Sequence, residues 1–361
     1  MKKQYFLLAT FFYAIAIFYL AATIPISPHE AKILYLSHDI LYKLMKWGEN
    51  LISGVLGLRI FFVFFGFLSI LFFYEFNRRY FSKREDAYLS TFIFMLLPGM
   101  VTGSILVNIA IIVLPLVLLF VLLYEKDHFI LLPFIMLALF FVHEASIIFF
   151  ISVLFYAVIH KDKKLSIFSG AFLIAFMYLA KGIEVGGRPS GHFAEIFGLY
   201  AAVFSPFVFL YFFYTMYQIL LRGNKTLLWY ISFTAFAFSL ILSIRQRIRI
   251  TDFIPYVMIA IPLMLDVYNR SLRVRLPEFQ KQYKLGFKVV VSSLFLSVFT
   301  IFVYQVMFFV VKDHKQYFSN SIYKPYFLAK ELKLKGIPCK DTSNVKERYQ
   351  LQYYNITPCT K

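Results

Sequence analysis

Residues Leu58–Tyr74 read LRIFFVFFGFLSILFFY, with one charged side chain, Arg59, in seventeen positions. A run this apolar has no polar face to turn toward water. Its length falls in the ~17–25 residue range that crosses a bilayer as a helix. Lipid offers the backbone no hydrogen bonds, so a helix satisfies them internally. A second run, Val289–Val311 (VVVSSLFLSVFTIFVYQVMFFVV), has the same character. The whole chain of 361 residues is 60% hydrophobic, and its mean hydropathy is +0.72, whereas a soluble domain is ~45–50% apolar. The expected fold is an all-α polytopic membrane protein.

Outward from Leu58, the apolar runs predict about eleven spans: 4–24, 53–74, 87–99, 104–124, 129–142, 145–160, 165–183, 204–221, 226–244, 252–268 and 287–311. The first follows MKK and has no small-residue cleavage site, so it reads as a retained helix. The segments LLPGMVTGS and FFVHEAS interrupt long apolar stretches with Pro, Gly or ionisable residues. With a cytoplasmic N-terminus, the inner segments carry eighteen Lys and Arg and the outer loops eight. The positive-inside rule selects this orientation. It puts the C-terminal tail outside the cytoplasm and divides the chain into a transmembrane domain, 1–312, and a small extracytoplasmic tail, 313–361. The net charge of +18 sits mostly in short loops between spans, so it is not the signature of a nucleic-acid partner, and membrane lipids are the expected surroundings. No phosphate-binding glycine loop of the nucleotide-binding type occurs.

Several outer-face residues carry chemistry. Arg245, Arg247 and Arg249 lie in SIRQRIRITDF (Ser243–Phe253), against the general charge trend. On a helix Arg245 and Arg249 share a face and Arg247 points away, whereas in an extended segment all three share a face. They snorkel to lipid headgroups, or the span count is off by one, or they form an anion site, since guanidinium forks match phosphate oxygens. The first outer loop, Pro25–Gly54, has a rough apolar stripe (Ile33, Leu34, Leu36, Ile40, Leu41, Leu44 and Trp47) that predicts a helix lying in the membrane interface. Ser27 or Pro28 opens this helix and Glu30 falls in its first turn. Glu30 is either a helix-start residue or a base for a sugar or lipid hydroxyl.

Arg59 either anchors its span or meets an anion. His143 and Glu144 are ionisable at membrane depth, and so are either a structural pair or part of a site. KGIEVGGRPSGHF (Lys181–Phe193) holds Lys181 and Arg188 and is either a substrate loop or a connector. Cys339 and Cys359, the only cysteines, share the tail, which favours a disulfide outside the cytoplasm. The tail predicts a helix over Pro325–Leu334, ended by Gly336, and then a strand near YQLQYY (Tyr349–Tyr354), a small α/β unit.

The order of these features resembles membrane glycosyltransferases of the GT-C class, the family of protein O-mannosyltransferases and lipid A aminoarabinose transferases. PHEAKILY (Pro28–Tyr35), HDILY (His38–Tyr42), Gly54, Leu58-Arg59, NRRYFSKRED (Asn77–Asp86) and AYL (Ala87–Leu89) occupy the places of that family's early motifs. SIRQRIRITDFIPYVMIAIPLML (Ser243–Leu265) is similar to its late basic stretch and following span. The likeness covers roughly 25–165 and 226–268. This chain departs from the pattern at three places. His29 stands at the position of the family's catalytic Asp, Asp39 replaces a Pro, and His143-Glu144 replaces a Thr-Lys turn.

The resemblance implies a multi-pass protein of the bacterial inner (cytoplasmic) membrane. It implies a sugar donor carried on polyprenyl phosphate, an extracytoplasmic acceptor (glycolipid, glycan or protein), and inversion in one displacement. Arg245, Arg247 and Arg249 then hold the donor phosphate, with Arg59 and His143 as further phosphate ligands. Glu30 is the expected base, with His29 as the second catalytic candidate. Asp39, Glu144, Lys181 and Arg188 are other cavity candidates. No cofactor is expected: a phosphate monoester donor needs no obligatory metal, and a divalent metal, though compatible, is not indicated by any strong metal motif. Two rival readings are an EpsG-like or Wzy-like polysaccharide polymerase or ligase and a lipid-linked glycan transporter. The second would show internal repeats around a midplane site, and none is visible.

Overall fold

The computed structural model describes residues 1–179, 191–310 and 320–359. Its helices are α1 (Lys3–Thr23), α2 (Pro28–Leu36), α3 (Ile40–Leu51), α4 (Val55–Tyr80), α5 (Arg84–Met95), α6 (Pro98–Ile105), α7 (Ala110–Glu125), α8 (Leu132–Val142), α9 (Ser146–Ile159), α10 (Lys163–Tyr178), α11 (Phe193–Phe204), α12 (Pro206–Arg222), α13 (Leu227–Arg245), α14 (Ile254–Val257), α15 (Ile261–Val274), α16 (Pro277–Val310), α17 (Asn320–Leu334) and α18 (Val345–Tyr353). Short 3-10 turns at Ile250–Asp252 and Met258–Ala260 flank α14.

Four helices, α1, α4, α13 and α16, are long and apolar enough to cross a membrane. Two bent pairs bring the number to six, α5 with α6 at 58° and α11 with α12 at 108°. Eleven full spans are therefore not seen among the described residues. Helix α8 has eleven residues, which at ~1.5 Å rise each reach about half of a ~30 Å hydrocarbon core. The expected span 252–268 is broken into two 3-10 turns and two helices, where Pro255 and Pro262 interrupt the ladder. Helix α11 was not anticipated. Ser205, at φ 74°, separates it from α12, which opens at Pro206. The residue before proline is disfavoured in the helical region, which favours a break at this position.

The chain forms two compact units. The first comprises Met1–Phe12, Phe65–Thr102 and Ile109–Phe299. Within it α9 packs on α10 and α13, α7 on α8 and α14, and α12 on α11 and α15. Buried Asn77 ties α4 to α5, its Nδ2 donating to Thr91 Oγ1 at 3.1 Å while Ser90 Oγ donates to its Oδ1 at 3.2 Å. Such polar links hold helices together where lipid removes the hydrophobic drive between them. Phe11, Phe12, Leu296 and Phe299 remain exposed, as lipid-facing side chains do.

The second unit comprises Tyr13–Phe64, Gly103–Asn108 and Thr300–Lys361. Here the first outer loop forms two helices, α2 and α3, instead of one interfacial helix. Asp39 ends the continuity by capping α3, its Oδ1 accepting from Tyr42 N–H at 3.1 Å. The apolar stripe divides accordingly. Ile33, Leu34 and Leu41 are buried, while Leu36, Ile40 and Trp47 are exposed.

Helix α18 packs on α2 and on α17. The expected strand at Tyr349–Tyr354 is instead the second half of α18. Asn344 caps that helix by accepting from Lys346 N–H at 3.1 Å. Among the described residues no strand lies beside it to pair with. The only β pairing among the described residues is the isolated bridge Cys339–Thr357, so the tail is helical. Gly336, at φ 69°, turns the chain after α17. A disulfide joins Cys339 and Cys359.

Candidate active site

The second unit holds a buried ion pair between Glu30, at the start of α2, and Arg59, the fifth residue of α4. Ser27 caps α2 and forms a reciprocal capping box with Glu30. Glu30 N–H donates to Ser27 Oγ at 3.2 Å, and Ser27 N–H donates to Glu30 Oε2 at 2.8 Å. This is the Ser-x-x-Glu device that satisfies two orphan donors at a helix start. Here it also delivers the carboxylate to Arg59, whose Nε and Nη2 reach Oε1 and Oε2 at 2.8 and 2.7 Å. Val107 N–H adds a further bond to Oε1 at 3.1 Å. Glu30 thus accepts four hydrogen bonds while only 1% exposed.

Arg59 is equally committed. Its Nη1 donates to Ala21 O at 3.1 Å and Ile24 O at 2.7 Å, and its Nη2 to Pro25 O at 3.0 Å. All five guanidinium N–H groups are engaged, three of them by carbonyls in and just beyond the last turn of α1. Those carbonyls lack helical partners and carry the negative end of the helix dipole, so a cation belongs there. Burial pushes the Glu30 carboxyl toward a higher pKa. The Arg59 charge, its hydrogen bonds and the N–H groups of Ser27 and Val107 outweigh that and hold it below the ordinary value.

His29 lies beside Glu30 on the exposed side of the first turn of α2. Asp39 is an exposed helix cap, its carboxylate engaged with Tyr42 N–H.

The first unit holds the basic stretch. Arg245 ends α13 and is exposed. Beyond it the chain is extended, so Arg247 and Arg249 share a face while Ile248 between them is buried. Arg247 Nε and Nη2 donate to Glu195 Oε1 at 3.0 and 2.6 Å, and His192 Nδ1 lies 3.2 Å from Glu195 Oε2. Arg249 Nε sits 3.6 Å from Asp252 Oδ2. His143 Nε2, at the break between α8 and α9, is 3.2 Å from Asp252 Oδ1. His143 therefore joins the arginine stretch through Asp252, and Glu144 beside it points to the exposed surface.

The side chains of Arg247 and Arg249 are 74% and 80% exposed, leaving N–H groups accessible to an anion. Lys181 and Arg188 lie outside the described residues. Among the described residues no three His, Cys, Asp or Glu side chains gather to hold a metal ion.

Two members of this cluster were not anticipated. Asp252 was within reach of the sequence, because an acid three residues after Arg249 at a span boundary needs a partner. Glu195 carried no such signal, being separated from Arg247 by about fifty residues.

No protein-family profile and no curated protein sequence matches the chain. Solved structures do. ArnT from Cupriavidus metallidurans in the apo state aligns with a TM-score of 0.53 at 14% identity, covering 97% of this chain and 74% of that one. ArnT from the same organism bound to undecaprenyl phosphate aligns with a TM-score of 0.53 at 12% identity, covering 98% and 75%. The chain has a GT-C-like fold. The resemblance to lipid A aminoarabinose transferases noted over two sequence segments thus extends, as fold, over nearly the whole chain.

Proposed function

We propose that this chain is a membrane glycosyltransferase that moves a sugar from a polyprenyl-phosphate donor to a hydroxyl acceptor outside the cytoplasm. The supporting observation is the shared fold with ArnT, whose structure with undecaprenyl phosphate shows a lipid of the donor class held by that architecture. In this reading the accessible N–H groups of Arg247 and Arg249, with Arg245 and His143 nearby in sequence or space, bind the donor phosphate. They offset the charge that grows on it as the bond to the sugar breaks.

The acceptor oxygen attacks the anomeric carbon from the face opposite the phosphate, so configuration inverts. The carbon–oxygen bond to phosphate breaks with its electron pair, and polyprenyl phosphate leaves. The acceptor proton passes to a base. Glu30, the base expected from sequence, is buried, saturated with hydrogen bonds and held to a low pKa, which suits an anchor and not a proton acceptor. His29, exposed at the family's catalytic Asp position, takes that role, and Glu30 with Arg59 fixes the turn that presents it. Neutral imidazole accepts a proton near neutral pH.

The test is deletion of the gene, followed by mass analysis of surface glycolipids and glycoproteins. Loss of one sugar, restored by the wild type but not by His29→Gln, supports the reading. Shortened glycan chains would indicate a polymerase, and unchanged masses would overturn the proposal.

A further inference from the structure

Resting on that reading, we propose that the C-terminal tail is part of the catalytic apparatus, with Gln350 and Tyr354 as positioning residues that set the turn carrying His29. The observation is a clamp on both backbone polar groups of one residue, Ile26. Ile26, immediately before the Ser27 cap, is 0% exposed. Its N–H donates to Tyr354 Oη at 3.2 Å, and its carbonyl accepts from Gln350 Nε2 at 2.9 Å. Neither backbone group has a secondary-structure partner, and a buried backbone group left without a hydrogen bond destabilises the fold. Both partners come from side chains more than three hundred residues away in sequence.

The clamp is itself held rigid. The second Nε2 hydrogen of Gln350 goes to Ser321 O at 3.0 Å, at the start of α17, and Gln350 is 1% exposed. Tyr35 on α2 stacks on Tyr349 of α18, with centroids 5.9 Å apart. Leu351 packs with Ala329, Leu332 and Ile356. Beyond Ile356 the chain is fastened by Lys340 N–H to Thr357 O at 2.9 Å, Thr357 N–H to Pro338 O at 3.1 Å, and the Cys339–Cys359 disulfide.

On its other side the clamped segment is gripped by Arg59, through Ile24 O and Pro25 O. Residues 24–27 are thus pinned from both sides: Arg59 and Glu30 fix one and the tail the other. A side chain on the first turn of α2 inherits its placement from this segment, and reaction rates fall about a hundredfold for an ångström of misplacement.

The experiment uses the full chain in nanodiscs. Gln350→Glu removes the amide N–H donors at nearly constant volume, and Tyr354→Phe removes only the hydroxyl. Three quantities are read: amide hydrogen exchange over residues 26–36, affinity for undecaprenyl phosphate, and restoration of the surface sugar in the deletion strain. Expected are exchange faster by about tenfold or more and sugar restoration reduced by about tenfold to a hundredfold, with undecaprenyl phosphate affinity within twofold of wild type. Lys330→Ala, at an exposed position of α17, should change none of them.

Unchanged exchange in both variants overturns the proposal whatever the activity. Faster exchange with full sugar restoration, or a parallel loss of phosphate affinity, overturns the positioning role. If wild type restores no sugar, the glycosyltransferase reading fails, and the exchange result still decides whether the clamp exists.

Discussion

Arg59 and Glu30 form a bidentate pair, Nε to Oε1 at 2.8 Å and Nη2 to Oε2 at 2.7 Å, with neither side chain reaching solvent. The pair sits where a helix ends, a capping box begins and a membrane helix starts. Removing one member leaves the other as an uncompensated buried charge, which costs about 3–5 kcal/mol. Arg59→Ala should therefore lower the thermal midpoint in detergent far more than the loss of an exposed ion pair such as Lys335–Glu331. Arg59→Lys should fail to restore it, because an ammonium group supplies three donors where five are used and cannot form the fork.

The same pair predicts the direction of acid sensitivity. Glu30 is held below its ordinary pKa in the folded chain. Its contribution is fully present above the unfolded carboxylate value of ~4.3 and is lost as pH falls through the lower folded value. Thermal stability should decline below about pH 4 in the wild type. In Glu30→Gln the starting stability at pH 7 should be lower and this part of the acid slope absent. A midpoint-versus-pH series on both proteins checks it, and parallel slopes would contradict the assignment.

Gly57 and Gly48 mark the close approach of α4 to α3. A Cβ at Gly57 would stand 1.8 Å from Ile52 O and 2.9 Å from Gly48 O. These are backbone atoms, so nothing flexible can yield. Gly57→Ala should destabilise the second unit by about 1–3 kcal/mol, whereas alanine at Gly170, where a Cβ meets nothing within 4 Å, should not. Differential scanning of the two variants separates them.

Arg247 and Arg249 differ in their existing partners. Arg247 makes a two-armed contact to Glu195, while Arg249 has one longer contact to Asp252. If both meet the donor phosphate, alanine at either should weaken undecaprenyl phosphate binding by about tenfold, the equivalent of one charge-assisted hydrogen bond. Glu195→Gln should strengthen it, by releasing the Arg247 fork. Titration with undecaprenyl phosphate in nanodiscs measures all three.

The disulfide closes a loop with a sequence separation of 20. Chain-entropy estimates give about 3 kcal/mol for a loop of this size. Cys339→Ser combined with Cys359→Ser should speed amide exchange across α18 and, through the clamp, across residues 26–36. The wild type should show the same change on reduction.

By itself the sequence determined that this is a helical membrane protein and where its longest spans lie. Uninterrupted apolar runs such as Leu58–Tyr74 have no other stable state in lipid. It also determined the start of α2, because Ser27, Pro28 and Glu30 act within one turn of each other. The run of positive charge after Ser243 and the two tail cysteines were equally local signals.

What the sequence could not determine was decided by partners distant along the chain. Glu30 had two readings until Arg59 and Val107 were seen to occupy its oxygens. Arg59 looked available for phosphate until five acceptors were found around it. The strand expected at Tyr349–Tyr354 became helix because Gln350, Leu351 and Tyr354 face α2 and α17, and tertiary packing overrides local propensity in short segments. Breaks such as Ser205-Pro206 and the 3-10 turns around α14 depend on backbone geometry that hydropathy does not encode. Burial of a charge is a property of everything surrounding it, and only the folded chain supplies those surroundings.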